Sequence, residues 1–214
     1  MVKTLSRTER DSLADLLTVL GPEAPTLCGD WSTRDLVAHM VVRERRPDTL
    51  PGIRVKQLSG HTESVRLTYA RRPYAHLVAE FRSGPGRFSA LALPGIESLV
   101  NTTEYAVHHE DVRRAQPDWE PRDLPVQEQD VLWKVVAGRA KLSFRSLGAR
   151  VVLRRTDRTT AGPVSVGSSD RTVELAGEPL EVLLYLFGRR EHARVEVTGD
   201  PAAVAALTAA NLAV

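Results

Sequence analysis

Apolar residues in the N-terminal half of the chain recur at helical spacing. Leu13, Leu16, Leu17 and Leu20 form one such stripe, and that period predicts a helix. Ser6 and Glu9 make an S-x-x-E capping box at its start, and Gly21-Pro22 stops it. A loop, PEAPTLCGDW, leads to a second box, Ser32 with Asp35. The helix that follows carries Leu36, Val37, His39 and Met40 and ends before Pro47. Residues 48–61 are polar and irregular and read as a loop. Segment 62–82 reads as a helix broken by Pro73, with Tyr74, Leu77, Val78 and Phe81 on one apolar face. Ser83-Gly84-Pro85-Gly86 is a break. The next helix, 96–115, has Val100 and Val107 in its apolar stripe, and Glu104, His108 and Asp111 lie in the same stripe. Four helices with short to medium connections predict a bundle.

The pattern changes further on. QPDWEPRDLPVQ (116–127) holds three prolines and no periodicity, as a linker between domains does. After a helix at 128–146, the segments ARVVLRR, PVSVG and RTVELAG are short, β-branched and bounded by Gly, Asp and Ser, and read as strands. EPLEVLLYLFGRR is a helix with Pro179 in its first turn and Gly188 at its end, ARVEVTG is a further strand, and Asp200-Pro201 opens a last helix. Helix, strands, helix, strand, helix is an α+β order. The expected organisation is a helical domain over 1–116, a linker over 117–127 and an α+β domain over 128–214.

Composition narrows the function classes. With 29 Lys+Arg against 27 Asp+Glu, the net charge is only +2. That is no footprint for nucleic acid, and no helix-turn-helix or aromatic–basic strand pattern stands out. A single cysteine, Cys28, excludes an internal disulfide and agrees with a reducing cytoplasm. No run of 18 apolar residues predicts a membrane span, and the first residues lack a signal peptide's apolar core. No nucleic-acid or membrane partner is expected, and the expected state is a monomer, or at most a weak homodimer, because two domains can cover each other.

Of six histidines, two stand where chemistry is expected. His39 lies between Leu36 and Met40, on the core side of its helix. Glu104 and His108 are four apart and project from one face of theirs. A carboxylate on an apolar face is costly unless something positive meets it. A divalent metal shared by His39, Glu104 and His108 would meet it, with positions left open as in catalytic sites. The alternative is that Glu104 pairs with an arginine and both histidines are hydrogen-bonded core residues. From spacing alone, E-x-x-x-H does not decide between them.

Two longer motifs add to this. The segment APTLCGDWSTRDLVAHMVVRERRP (24–47) resembles the second-helix signature of the DinB-like, mycothiol-dependent maleylpyruvate isomerase superfamily. EYAVHHEDVRRAQP (104–117) is similar to that superfamily's matching later signature. The combination is most similar to an actinobacterial branch described only as metal-binding proteins. The L-F-G-R and V-T-G-D elements near the C-terminus resemble the superfamily's second domain. The resemblance implies a DinB-like four-helix bundle followed by a small, sterol-carrier-like α+β domain that closes over the site. It implies His39, Glu104 and His108 as ligands of a divalent metal, with Zn2+ the default. It also implies mycothiol as a cosubstrate, activated on the metal to attack an electrophilic carbon in isomerisation or transfer. Water activation for hydrolysis is open on the same ligands, and so is a non-catalytic metal-containing module for binding or sensing a small molecule.

Other residues carry open readings. His109 is an acid–base group or a helix-contact histidine. Asp111 orients a ligand histidine or pairs with an arginine such as Arg43. Arg189, after Phe187-Gly188, is the candidate to reach the site from the second domain, or it simply suits the helix dipole there. Cys28 reads as a small packed loop residue, because no histidine stands near it in sequence. Trp31 reads as a hydrophobic staple, and Arg43 to Arg46 read as part of an ion-pair network.

Overall fold

The computed structural model describes residues 4–50, 52, 59–86, 100–158 and 162–212. The chain divides into two compact units between Glu120 and Pro121. The expected helix start at 96–99, half of the loop at 48–61 and residues 87–95 lie outside the described residues.

The first unit is helical. Its described α-helices are α1 (Leu5–Leu20), α2 (Thr33–Arg45), α3 (Ser59–Ala70), α4 (Tyr74–Ser83) and α5 (Thr102–Arg113), with a 3-10 turn over Pro47–Thr49. Helix α1 packs on α4 and α5, and α2 packs on α3 and α4. The core they share holds Leu13 and Leu17 of α1, Leu36, Val37 and Met40 of α2, Leu77 and Phe81 of α4, and Tyr105 and Val112 of α5. The segment broken by Pro73 thus gives two helices, because Pro73 sits at the N-cap of α4, where its missing N–H costs nothing.

Two expectations about this unit are corrected. The Ser6–Glu9 box does not form. Helix α1 starts one residue earlier, with Thr4 at its N-cap, and Glu9 turns inward, where its carboxylate meets His109 at 2.8 Å. The second box does form, with Asp35 Oδ2 accepting from the Ser32 N–H at 3.2 Å and the Ser32 hydroxyl at 2.8 Å. Val100 does not belong to the core stripe. It is 43% exposed, and regular α-helix begins only at Thr102.

Charges buried in the unit are paired across helices. Arg10 of α1 donates to the Tyr105 hydroxyl of α5 at 2.5 Å, and that hydroxyl donates to Glu44 of α2 at 2.6 Å. Gly84, which ends α4 at φ +85, passes so close to Arg10 that a Cβ there would lie 2.7 Å from Nη1. Glycine meets both demands, a left-handed backbone and no side chain.

The second unit has a four-stranded sheet in the order β2-β1-β3-β4. Its strands are β1 (Arg150–Arg155), β2 (Val164–Val166), β3 (Thr172–Gly177) and β4 (Val195–Gly199). Strands β1 and β3 are parallel, with Val151 opposite Val173, and the outer pairings are antiparallel. Three helices complete the unit: α6 (Val126–Phe144), α7 (Pro179–Leu186) and α8 (Pro201–Ala209). Gln129 of α6 ties α7 down by accepting from the Leu180 N–H and donating to Glu178. Asp200 caps α8 by accepting from the Ala202 and Ala203 N–H groups at 3.0 Å each. The described residues therefore form a mixed helical chain with one small sheet, an α and α+β composition. No described helix is long and apolar enough to cross a membrane.

Leu36 is fully buried where α2 meets the rest of the first unit. Leu36→Ala is expected to cost about 2–5 kcal/mol, read as a lower urea midpoint with an unchanged slope.

Candidate metal centre

The site is built from one residue of α2, two of α5 and a loop. Helix α2 is started by the Ser32–Asp35 box, which fixes the register that places His39 one turn further on. Helix α5 offers Glu104 and His108, separated by about one turn. The rings of His39 and His108 meet edge to face with centroids 5.6 Å apart. His108 Nε2 stands 3.7 Å from Glu104 Oε2. A nitrogen of each histidine and a carboxylate oxygen of Glu104 lie within 4.8 Å of one another. The structure thus brings together the three residues named as ligands.

Each of the three is held by a neighbour. Arg43, one turn after His39 on α2, approaches Glu104 Oε2 with Nε at 3.4 Å and donates from Nη1 to Asn101 at 3.0 Å. Glu104 therefore meets both an arginine and a histidine, so the two readings of this carboxylate are not exclusive. Asp111, with no solvent exposure, accepts at Oδ2 from His108 Nδ1 at 2.9 Å. The contact with His108 is the one expected of an orienting carboxylate. It leaves Nε2 facing Glu104. Trp31 stands beside His39 with ring centroids 5.2 Å apart.

The two imidazoles sit in opposite electrostatic surroundings. Burial, reinforced by the facing His108, Arg43 and Arg66, pushes His39 down to about 3. Its ring is neutral at ordinary pH and keeps a free lone pair. For His108, burial works against the charged form, but the Asp111 carboxylate and the Cys28 thiol outweigh it and raise the group to about 10.

A cavity of about 420 Å³ opens beside His39, lined by Trp31, Gly52, Ser59, Thr62, Glu63 and Arg66 among others. Arg66 stacks over the Trp31 ring at 4.7 Å. It donates to Asp35 at 2.6 Å, and two of its nitrogens reach Glu63 at 2.8 and 2.6 Å. One wall of the cavity is thus a guanidinium already matched by two carboxylates.

His109 is buried against Glu9 of α1, Nδ1 to Oε2 at 2.8 Å. Arg189 belongs to the second unit, where it donates to the Phe187 carbonyl at 2.6 Å. Cys28 packs against the core of the helical unit, as expected of a small loop residue, and also meets two polar side chains of α5. Its Sγ donates to Asp111 Oδ2 at 3.1 Å and stands 3.8 Å from His108 Nδ1. Eighty positions separate Cys28 from His108 in the chain, so no local spacing signals the contact.

No family model matches the chain, and no curated protein matches it in sequence. Among solved structures, the fold is similar to that of a mycothiol-dependent maleylpyruvate isomerase, crystallised as a histidine-to-alanine mutant. The match has a TM-score of 0.53 at 15% identity and covers 91% of this chain and 90% of the other. The chain therefore shares the fold of that isomerase, and its helical unit holds a candidate metal-ligand group.

Asp35 supports both the start of α2 and Arg66. Partial burial works to raise its pKa, but hydrogen bonds from Arg66 and Ser32 outweigh that and hold it below the usual 3.8. A carboxyl depressed in the folded state stabilises the fold above its unfolded pKa, and that contribution is lost as pH falls through the folded value. Asp35→Asn is therefore expected to be less stable than wild type at neutral pH, with the difference shrinking as pH drops below 3.8. Urea midpoints across an acid series check this.

Proposed function

We propose that the chain is a member of the DinB-like, mycothiol-dependent maleylpyruvate isomerase superfamily and acts as a metal-dependent, thiol-using transferase or isomerase on a small electrophile. The second unit is then its sterol-carrier-like domain. The observation that carries the reading is the convergence of His39, Glu104 and His108 donor atoms within 4.8 Å. Two neutral-capable imidazoles and one carboxylate suit zinc and other divalent first-row ions. His39 fits this best, since its ring is held neutral by burial and no proton has to be displaced for it to donate.

A divalent ion held there supplies a Lewis acid that favours the thiolate form of a bound thiol, or hydroxide from water. The chain's own residues do the rest. Asp111 fixes the His108 tautomer and aims Nε2, as outer carboxylates do for ligand histidines. Arg43 holds the Glu104 carboxylate in place. The cavity beside His39 gives a small thiol room to enter. Trp31 and the Arg66 ion-pair cluster form a wall against which it would be oriented.

Elemental mass spectrometry on tag-free protein tests the centre. Wild type is expected to carry at least one divalent ion per chain. His39→Ala and Glu104→Ala are each expected to lose one, with affinity reduced on the order of 100-fold. Turnover of mycothiol with electrophiles should then fall in the same variants. Wild-type protein that takes up no zinc at this position overturns the reading.

A further inference from the structure

The loop before α2 and the inner face of α5 bring together a second set of donor atoms, none of which is a ligand atom in the proposed centre. Cys28 Sγ, His108 Nδ1 and Asp111 Oδ2 lie within 4.8 Å of one another. The three separations are 2.9 Å between Nδ1 and Oδ2, 3.1 Å between Sγ and Oδ2, and 3.8 Å between Sγ and Nδ1. In a tetrahedral shell with bonds of about 2.0–2.3 Å, neighbouring donors stand about 3.3–3.6 Å apart. Shifts of a few tenths of an ångström would turn the observed triangle into one face of such a shell.

The position is built rather than incidental. The Leu27 N–H donates to the Asp111 carbonyl at 3.0 Å, so the loop is tied to α5 beside the cluster. Gln116 donates to the Pro25 carbonyl at 3.0 Å, and the Cys28 N–H donates to the Thr26 hydroxyl at 3.1 Å. Gly29, at φ +63, turns the chain away immediately after the cysteine, a conformation other residues rarely adopt. The Asp111 carboxylate has no solvent exposure.

We propose that Cys28, His108 and Asp111 form a second metal position, selective for a thiophilic divalent ion such as zinc or cadmium, adjacent to the His39–Glu104 position and sharing the His108 ring. A thiolate among the ligands sets the preference for a soft or borderline ion. On binding, the Cys28 S–H and the His108 Nδ1–H protons leave to solvent. Bonds form from Sγ, Nδ1 and Oδ2 to the ion, and no oxidation state changes. With both positions filled, the Cys28 thiolate, the Asp111 and Glu104 carboxylates and the His108 imidazolate each carry one negative charge, matching two divalent ions. The second position rests on its own donors and stands whether or not His39 and Glu104 bind metal.

Cadmium titration of the full, tag-free, chelator-stripped chain tests this, followed by the ultraviolet thiolate-to-cadmium charge-transfer band. The band is expected in wild type and in His39→Ala, saturating at one ion per chain. It is expected to be absent in Cys28→Ser and to need at least about tenfold more cadmium in Asp111→Asn. Far-UV circular dichroism confirms that each variant is folded. His39→Ala that keeps the band but lacks the other ion separates this position from the proposed centre. If wild type gives no band, Cys28 is a hydrogen-bonded thiol only and the proposal falls. Saturation at half an ion per chain means that two chains share one cadmium through their cysteines, which also overturns it. A band with unchanged affinity in His108→Ala overturns the ligand set.

Discussion

A carboxylate with no solvent exposure, Asp111, is the constraint on which the site depends. Burying an anion is costly unless hydrogen bonds and opposite charge surround it. Here one oxygen accepts from an imidazole and from a thiol, and those contacts fix more than the acid. They set the plane of the His108 ring. Through Cys28, and through the Leu27 N–H on the Asp111 carbonyl, they hold the loop that leads into α2. That loop ends at Ser32, where the capping box sets the helix register. The register in turn carries His39 to the face of His108. One buried group on α5 thus coordinates the arrival of residues from three parts of the chain.

The same economy governs the other charges of the helical unit. Glu104 is met by Arg43, Glu44 by Tyr105, and Tyr105 by Arg10. Such contacts are weak sources of net stability, because desolvation offsets most of the attraction, but removing a partner leaves a charged group uncompensated. Their effect here is to make one arrangement of α1, α2 and α5 far better than its neighbours. A sliding or rotation of α2 against α5 would leave Glu44 and Glu104 unmatched together. A ligand set that must be held to fractions of an ångström gains from such a scaffold.

Much of this was legible in the sequence, for physical reasons that can be named. The Ser32–Asp35 box was readable because its residues are three apart and act through local backbone. Glu104 and His108 were readable as a pair because a helix turn puts residues four apart on one face. The strands of the second unit were readable from short β-branched runs ended by Gly, Asp and Ser. What was not legible depends on the fold. Ser6 and Glu9 satisfy the same local pattern as the second box, but Glu9 is taken by His109, a hundred positions away. Val100 fits an apolar stripe by spacing but stands where regular helix has not begun. Cys28 packs as a loop residue should, but its contacts with His108 and Asp111 reach the other end of the helical unit, where no local spacing shows them. Local pattern fixes what a residue can do, and tertiary competition decides which option is taken.

The two nitrogens of His108 face different chemistries, and this links the two proposed positions. On the Nε2 side stand Glu104 and the His39 ring, oxygen and nitrogen donors. On the Nδ1 side stand a carboxylate and a thiol. A ring that donates its Nδ1 proton to a carboxylate is a stronger donor at Nε2, so with a proton at Nδ1 the His39–Glu104 position has its best ligand. Replacing that proton with a metal ion changes the charge and basicity of the whole ring, and the effect is felt at Nε2. Coupling of this kind is reciprocal: if an ion on the thiol side alters affinity on the other side by some factor, the reverse holds by the same factor. The shared ring therefore lets the state of Cys28, free or metal-bound, bear on the proposed reaction centre without any movement of the helices that carry it.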